Sequence, residues 1–330
     1  MAENGPTEPC TLCAGTLCFV SSDLEVRWLI TGANGHLGRQ IVNALGREHE
    51  ILALVRSESA ASALKHLPCE VLCIDYQDPG LAAQHIADRW PGAWDALIGL
   101  TGTIKGKTAS DYYAAHEAVS DFLVTLSQKV EIGQMVSLSI AGADAGASNL
   151  CFASRGAADD RLLNSGREVA IIRLPMILGR DDYASGALMR KGAARWVFSF
   201  RVESLEQPIA ATDVIKVIEA IIEQKLQGVF SLGGPETLSR RQLIQRAGAL
   251  LGGSPLVLNL PISLGFAVTA VLAWLLPTPP VSPSMLGVLD HDDVIDNGPL
   301  LNALGLSLEP LDVTLRRVLE PLNEGSQNPV

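Results

Sequence analysis

Three glycines spaced three residues apart, Gly32, Gly35 and Gly38, follow the apolar run Trp28-Leu29-Ile30 and open a segment with Leu37, Ile41, Val42 and Leu45 at helical intervals. The pattern reads as strand, glycine turn, helix. Gly32 lets the chain leave the strand tightly, Gly35 lets backbone approach a phosphate with no Cβ in the way, and Gly38 lets the helix pack close to the sheet. The helix N-terminus then offers free N–H groups and a partial positive charge to a pyrophosphate. A dinucleotide is the ligand this context predicts, held by Gly32, Asn34, Gly35, His36, Leu37 and Gly38.

Further candidates stand at the ends of later apolar runs. Arg56 closes the run Ile51 to Val55, roughly 20 residues past the glycines, where a carboxylate would bind the ribose 2′-hydroxyl of NAD and an arginine suits the 2′-phosphate of NADP. No carboxylate precedes it, so NADP is expected ahead of NAD; the other reading of Arg56 is a solvated arginine at a strand end. Asp75-Tyr76 ends the next run, as an adenine contact or as a turn-forming aspartate. The small residues of Thr101-Gly102-Thr103 would let a ribose approach, and Ser139 ends a strand on the same ligand-binding edge. Tyr112, Tyr113 and His116, on an expected helix, read as packing or surface groups rather than catalytic ones.

These residues need a scaffold, and the chain supplies an alternating one. Strands are expected at Ile51 to Arg56, Glu70 to Ile74, Trp94 to Leu100, Gly133 to Ser139 and Val169 to Leu174, the last stopped by Pro175. Helices are expected at Ser59 to His66, Ser110 to Lys129 and Phe152 to Ser165. The inferred fold is α/β, a Rossmann-type doubly wound parallel sheet with a smaller C-terminal α/β substrate lobe. Residues 26–178 would form the nucleotide-binding domain, with 205–232 returning to it, and 179–330 the C-terminal lobe. In that lobe helices are expected at Thr212 to Gln227, Ser239 to Leu251 with Ser239 as N-cap, and Leu311 to Leu319, with a short strand at Val229 to Leu232.

Composition narrows the partners. A chain of 330 residues, 48% hydrophobic, can bury a large core. Its formal net charge of −11 argues against nucleic acid. Cys10, Cys13 and Cys18 are crowded but lack a fourth ligand at suitable spacing, so no metal is expected, and residues 1–25 read as a disordered, reduced leader in a cytoplasmic protein. Leu256 to Leu276 is 21 residues without a charge. Asn259 and Pro261 interrupt it and leave about 15 helical residues from Ile262, read as a buried core helix ahead of a membrane-surface contact or a span. The partners expected are a small-molecule substrate or none, with peripheral membrane-surface or protein-complex contact through 262–276; the oligomeric state is not read. Arg180, Arg190, Lys191, Arg195 and Arg201 are solvated or meet a phosphate or carboxylate.

With these residues in view, the chain resembles the short-chain dehydrogenase/reductase superfamily in its extended or atypical branch, over residues 26 to about 320. The resemblance rests on the glycine turn, Leu54-Val55-Arg56, Asp75, Ser139, the run Ser154 to Asp159, and Arg173-Leu174-Pro175 leading to Gly179. Leu97 to Thr103, Leu276-Pro277 and Pro279-Pro280 further resemble nucleoside-diphosphate-sugar-epimerase-like proteins related to an accessory subunit of respiratory complex I. The family implies a nicotinamide cofactor along the carboxyl edge of the sheet, with Arg56 on the 2′-phosphate, Asp75 and Tyr76 by the adenine, Thr101 and Gly102 by the adjacent ribose, and Pro175 near the nicotinamide amide.

The chain departs from the family at its catalytic pair. Family enzymes use a tyrosine and, four residues on, a lysine; here those positions hold Cys151 and Arg155. Arg155 could hold ribose hydroxyls but cannot relay a proton at neutral pH. Cys151 beside it is either a deprotonated base or nucleophile, or simple packing. Ser139 could still polarise a carbonyl. Two functions follow: an oxidoreductase or sugar-nucleotide epimerase/dehydratase-like enzyme with an altered proton donor, or a cofactor-holding scaffold, assembly or redox-sensing protein without turnover.

Overall fold

A computed structural model describes residues 26–267, 283–288 and 291–319. The leader expected over 1–25, with Cys10, Cys13 and Cys18, lies outside the described residues, as does the charge-free run beyond residue 267.

The first half runs β1 (Arg27–Thr31), α1 (His36–Leu45), β2 (Glu50–Val55), α2 (Glu58–Ser62), β3 (Glu70–Cys73), α3 (Pro79–Arg89), β4 (Trp94–Gly99), α4 (Ala109–Ala115), α5 (Glu117–Lys129) and β5 (Ile132–Ile140). There follow α6 (Leu150–Leu163), β6 (Val169–Leu174), β7 (Ile177–Leu178), α7 (Tyr183–Ala193), β8 (Trp196–Phe200), β9 (Leu205–Glu206), β10 (Ile209–Ala210), α8 (Ala211–Glu223) and β11 (Gly228–Ser231). The chain closes with β12 (Leu238–Ser239), α9 (Arg240–Leu250), β13 (Leu256–Leu260), α10 (Pro283–Val288), α11 (Gly298–Leu304) and α12 (Leu311–Leu319).

Seven strands form one sheet in the order β11-β6-β5-β4-β1-β2-β3, the doubly wound arrangement expected. The registers of β1 with β2 and β4, of β2 with β3, and of β6 with β11 are all parallel. Additional C-terminal α/β elements form a smaller lobe, with the two-stranded pairs β7/β10, β9/β12 and β8/β13.

Two compact units divide the described residues: 26–100 with 122–135, and 101–121 with 136 onward. In the first, continuous apolar strands bury Leu29, Ile30, Leu52, Leu54, Leu97 and Ile98, and α1 lays Ile41, Val42 and Leu45 against them. In the second, Leu178, Leu188, Val197, Leu243, Ile244, Val257, Leu311 and Leu315 form a separate apolar cluster.

Some boundaries differ from the sequence reading for local reasons. The helix expected from Ser110 to Lys129 is broken at His116, whose φ of −117° and ψ of −66° end α4. Helix α3 was not anticipated, although Asp78 caps it through Leu81 N at 2.9 Å and Pro79 opens it. The loosely patterned 179–204 segment contains α7 and β8, and Leu256 to Leu260 is a strand ahead of helical residues 262–267. No helix among the described residues is long and apolar enough to cross a membrane.

Candidate functional site

In the first unit, the glycine turn has the geometry its sequence requires. Gly32 adopts φ +74°, a left-handed conformation, and its carbonyl accepts from Gly35 N at 2.9 Å. A Cβ on Gly38 would lie 2.5 Å from Ala33 Cα, so only glycine lets α1 seat here. Gly35 caps α1 with no side-chain bond, and no acidic residue stands in the first turn. The ladder is first closed by Arg39 N onto Gly35 O at 3.0 Å. The N–H groups of His36, Leu37 and Gly38 and the positive end of the helix thus face outward as an anion cradle, which fits the pyrophosphate of a dinucleotide.

The sequence reading missed Arg39. Its Nη1 donates to the Asn34 carbonyl at 3.2 Å, and its Nη2 lies 3.2 Å from His36 Nδ1. The guanidinium therefore braces the turn and adds a full positive charge beside the cradle. The available signal was a basic residue directly after the third glycine.

At the ends of β2 and β3, local contacts place Arg56, Asp75 and Tyr76. The Arg56 guanidinium lies 5.9 Å from the centroid of the Tyr76 ring, and Tyr76 meets Phe122 edge-on at 4.9 Å. Asp75 is exposed, and its Oδ1 accepts from Gln77 N at 2.9 Å. That is the turn-forming role left open above.

In the second unit, Thr101 to Thr103 are held by residues of α6 and the end of α4. Asn149 caps α6 by accepting from Cys151 N at 2.9 Å and Phe152 N at 3.3 Å. The helix buries Cys151, Ser154, Arg155, Ala158, Asp159 and Leu162, one face at helical spacing that carries three polar side chains inward. Gly156 permits the preceding loop to close, since a Cβ there would lie 2.2 Å from Ala145 N.

Each side chain proposed for catalysis already has a partner. Arg155 Nη1 donates to the Thr101 carbonyl at 3.2 Å and Nη2 to the Leu138 carbonyl, while Gly102 lies against the guanidinium. Cys151 is fully buried, with its thiol 3.7 Å from the Thr103 carbonyl. Ser139 Oγ donates to Asp159 Oδ2 at 2.9 Å, and Arg173 Nε donates to the same oxygen at 3.1 Å. His116 Nε2 sits 3.2 Å from Thr103 N and 3.0 Å from Thr103 O, so its tautomer decides which bond forms. Pro175 follows β6, half-buried.

Burial sets the protonation of this cluster. It pushes the Cys151 thiol up to about 11, against a smaller opposing pull from the Arg155 charge. Of the two readings the sequence leaves open for Cys151, burial favours the neutral thiol at pH 7, because desolvation outweighs the neighbouring arginine. Burial, with the Arg155 charge behind it, holds His116 down at about 4, a neutral imidazole. Burial pushes the Asp159 carboxyl up while the Ser139 hydroxyl, Arg155 and Arg173 pull the other way. Tyr112 is buried with its hydroxyl on the Ile104 carbonyl at 3.1 Å, and Tyr113 lies on the surface beneath Arg161. Of the basic residues in 180–201, Arg201 pairs with Asp292 at 3.4 Å, and burial lowers the Lys191 pKa. No group of three or more potential metal ligands occurs among the described residues.

A family model described as NAD(P)H-binding matches residues 32–224, more than half of the chain. The chain belongs to this NAD(P)H-binding family. Its fold is that of sugar-nucleotide epimerases and dehydratases. WbmG from Bordetella bronchiseptica, in complex with NAD, is 16% identical at a TM-score of 0.69, covering 91% of this chain and 94% of its own. The dTDP-glucose 4,6-dehydratase of Bacillus anthracis, with NAD, is 13% identical at 0.66, covering 89% and 95%. The UDP-glucuronic acid 4-epimerase of Bacillus cereus, with UDP-glucuronic acid and NAD, is 15% identical at 0.66, covering 89% and 98%. No curated protein matches the chain by sequence.

These structures correct the cofactor expectation. All three hold NAD, which has no 2′-phosphate for an arginine to meet. NADP was inferred from Arg56 alone, and that side chain lies over the Tyr76 ring. An arginine at this strand end has a use that does not involve a 2′-phosphate.

Proposed function

We propose that this NAD(P)H-binding family member holds NAD at the glycine turn and does not run the tyrosine–lysine proton relay of family enzymes. The observation that carries this reading is the engagement of Ser139, Cys151 and Arg155 by the protein's own Asp159, Thr103, Thr101 and Leu138. Gly32, Gly35, Gly38 and Arg39 would hold the pyrophosphate. Bound NAD supplies a hydride acceptor. None of the three candidates exchanges a proton readily at neutral pH: Ser139 is bonded to Asp159, Cys151 is held as a thiol, and Arg155 stays charged. The protein then serves as a cofactor-holding scaffold, assembly factor or redox sensor.

An epimerase- or dehydratase-like enzyme is the second reading. It is favoured by the activities named for the similar structures and by Ser139, whose hydroxyl could turn from Asp159 to a substrate carbonyl. Titration with NADH by cofactor fluorescence, then addition of sugar nucleotides, aldehydes and quinones, separates the two. Saturable binding without oxidation of NADH or conversion of any sugar nucleotide is expected. Turnover of any acceptor establishes the enzyme, and absence of NADH binding overturns both readings.

A further inference from the structure

β8 and β13 pair in parallel, with Trp196 opposite Leu256, Phe198 opposite Leu258 and Phe200 opposite Leu260. Alternation sends these six side chains to one face of the pair and Val197, Ser199, Val257 and Asn259 to the other. Val197 and Val257 join the apolar core of the second unit. The opposite face carries six apolar side chains, yet Trp196 is 54% exposed, Phe198 62% and Leu256 49%. Parallel strands ordinarily have both faces covered. Helical residues 262–267 prolong this surface: a Cβ on Gly265 would lie 3.1 Å from the Phe200 ring, and Leu264 and Phe266 are exposed beside it.

We infer that this face docks on the surface of a lipid bilayer, with Trp196, Phe198, Leu264 and Phe266 seated at the level of the headgroups and upper acyl chains. Three observations favour lipid over a second copy of the chain. Tryptophan and phenylalanine among leucines, without a charged side chain on the face, are the composition of an interfacial surface. Arg195, exposed immediately before Trp196, offers a headgroup phosphate a cation at the rim. In sequence, the residues after Ala267, Val268 to Leu276, carry no charge and a further tryptophan, a composition as suited to lipid as the patch itself. A formal charge of −11 opposes approach of a second copy and of an anionic membrane, but not of a zwitterionic one. The occupant inferred is therefore a neutral phospholipid surface, bound through apolar contact.

The test is co-sedimentation of the full chain with phosphatidylcholine vesicles. The wild-type protein is expected to pellet with them, and the W196S/F198S double variant to bind at least about tenfold more weakly, because two exposed anchors are removed. Both side chains are exposed, so the variant's melting temperature should match wild type. Should the variant not fold, quenching of wild-type tryptophan emission by vesicles with brominated acyl chains decides the matter without it. Quenching supports docking, and its absence overturns it. A wild-type protein that stays in the supernatant, a variant that pellets equally, or a dimer by light scattering that W196S/F198S dissolves without any vesicle binding each overturns the inference.

Discussion

Ser139 and Asp159 form a buried pair, with the serine Oγ donating to the carboxylate at 2.9 Å and Arg173 Nη2 3.0 Å from the same oxygen. The carboxylate holds the Ser139 hydroxyl and neutralises an arginine on β6. Ser139→Ala removes one bond to a charged group and should cost about 1.5–3 kcal/mol of stability. Asp159→Asn removes the counter-charge for Arg173 and for the buried Arg155, and should cost more, about 3–5 kcal/mol. Urea unfolding of the two variants measures the order; equal losses would show that the carboxylate does no more than hold the serine.

His116 gives the fold a particular response to acid. Its folded-state pKa of about 4 lies below the ordinary histidine value of 6.5, so the unfolded chain takes up a proton first as pH falls. Stability held by the neutral ring is complete above about pH 6.5 and is lost between there and about pH 4, amounting at most to about 3 kcal/mol. His116→Gln cannot titrate and should flatten this decline. Urea midpoints of both proteins at pH 7.5, 6 and 5 check it: the gap in wild type's favour should narrow as pH falls, and a constant gap would sink the account.

What was legible in the sequence is what is local. The turn from Thr31 to Gly38 carries its own geometry, Pro175 stops β6 wherever the chain goes next, and Ser239 with Gln242 forms a reciprocal cap that starts α9. The break at His116 was hidden because its ring is tied to Thr103, a contact made only when the loop after β4 folds back. β8 was hidden because five residues, Trp196 to Phe200, read as a strand only beside β13. The state of Cys151 stays open in the sequence, which shows the arginine one helical turn away but not the burial that outweighs it. The cofactor choice failed for a similar reason, since a one-residue rule at Arg56 does not see Tyr76.

The two arginines of the first unit should behave oppositely toward NAD. Arg39 adds charge at the cradle and braces Asn34 and His36, so Arg39→Gln should weaken NADH binding about tenfold and reduce its salt dependence. Arg56 is exposed and meets Tyr76, and Arg56→Ala should leave NADH affinity within about twofold, since removing an exposed charge costs little. Fluorescence titrations at low and physiological salt give both numbers. A larger loss at Arg56 than at Arg39 would reverse the assignment of the charges.

Cys151 should be chemically silent in the folded protein. A thiol held at about 11 is overwhelmingly protonated at pH 7.5, and its side chain has no solvent-accessible surface to offer a reagent. Iodoacetamide applied to the native protein at pH 7.5 should leave Cys151 unmodified, as judged by peptide mass spectrometry, and should label it once urea unfolds the chain. Cys151→Ala should cost about 1 kcal/mol, the removal of one small buried group, and should leave NADH binding unchanged. Rapid native alkylation of Cys151, or loss of an acceptor-reducing activity in Cys151→Ala, would instead make the thiol the proton donor that replaces tyrosine. The second unit would then have to open at Thr103, because the carbonyl facing the sulfur is otherwise the only acceptor the thiol meets among the described hydrogen bonds.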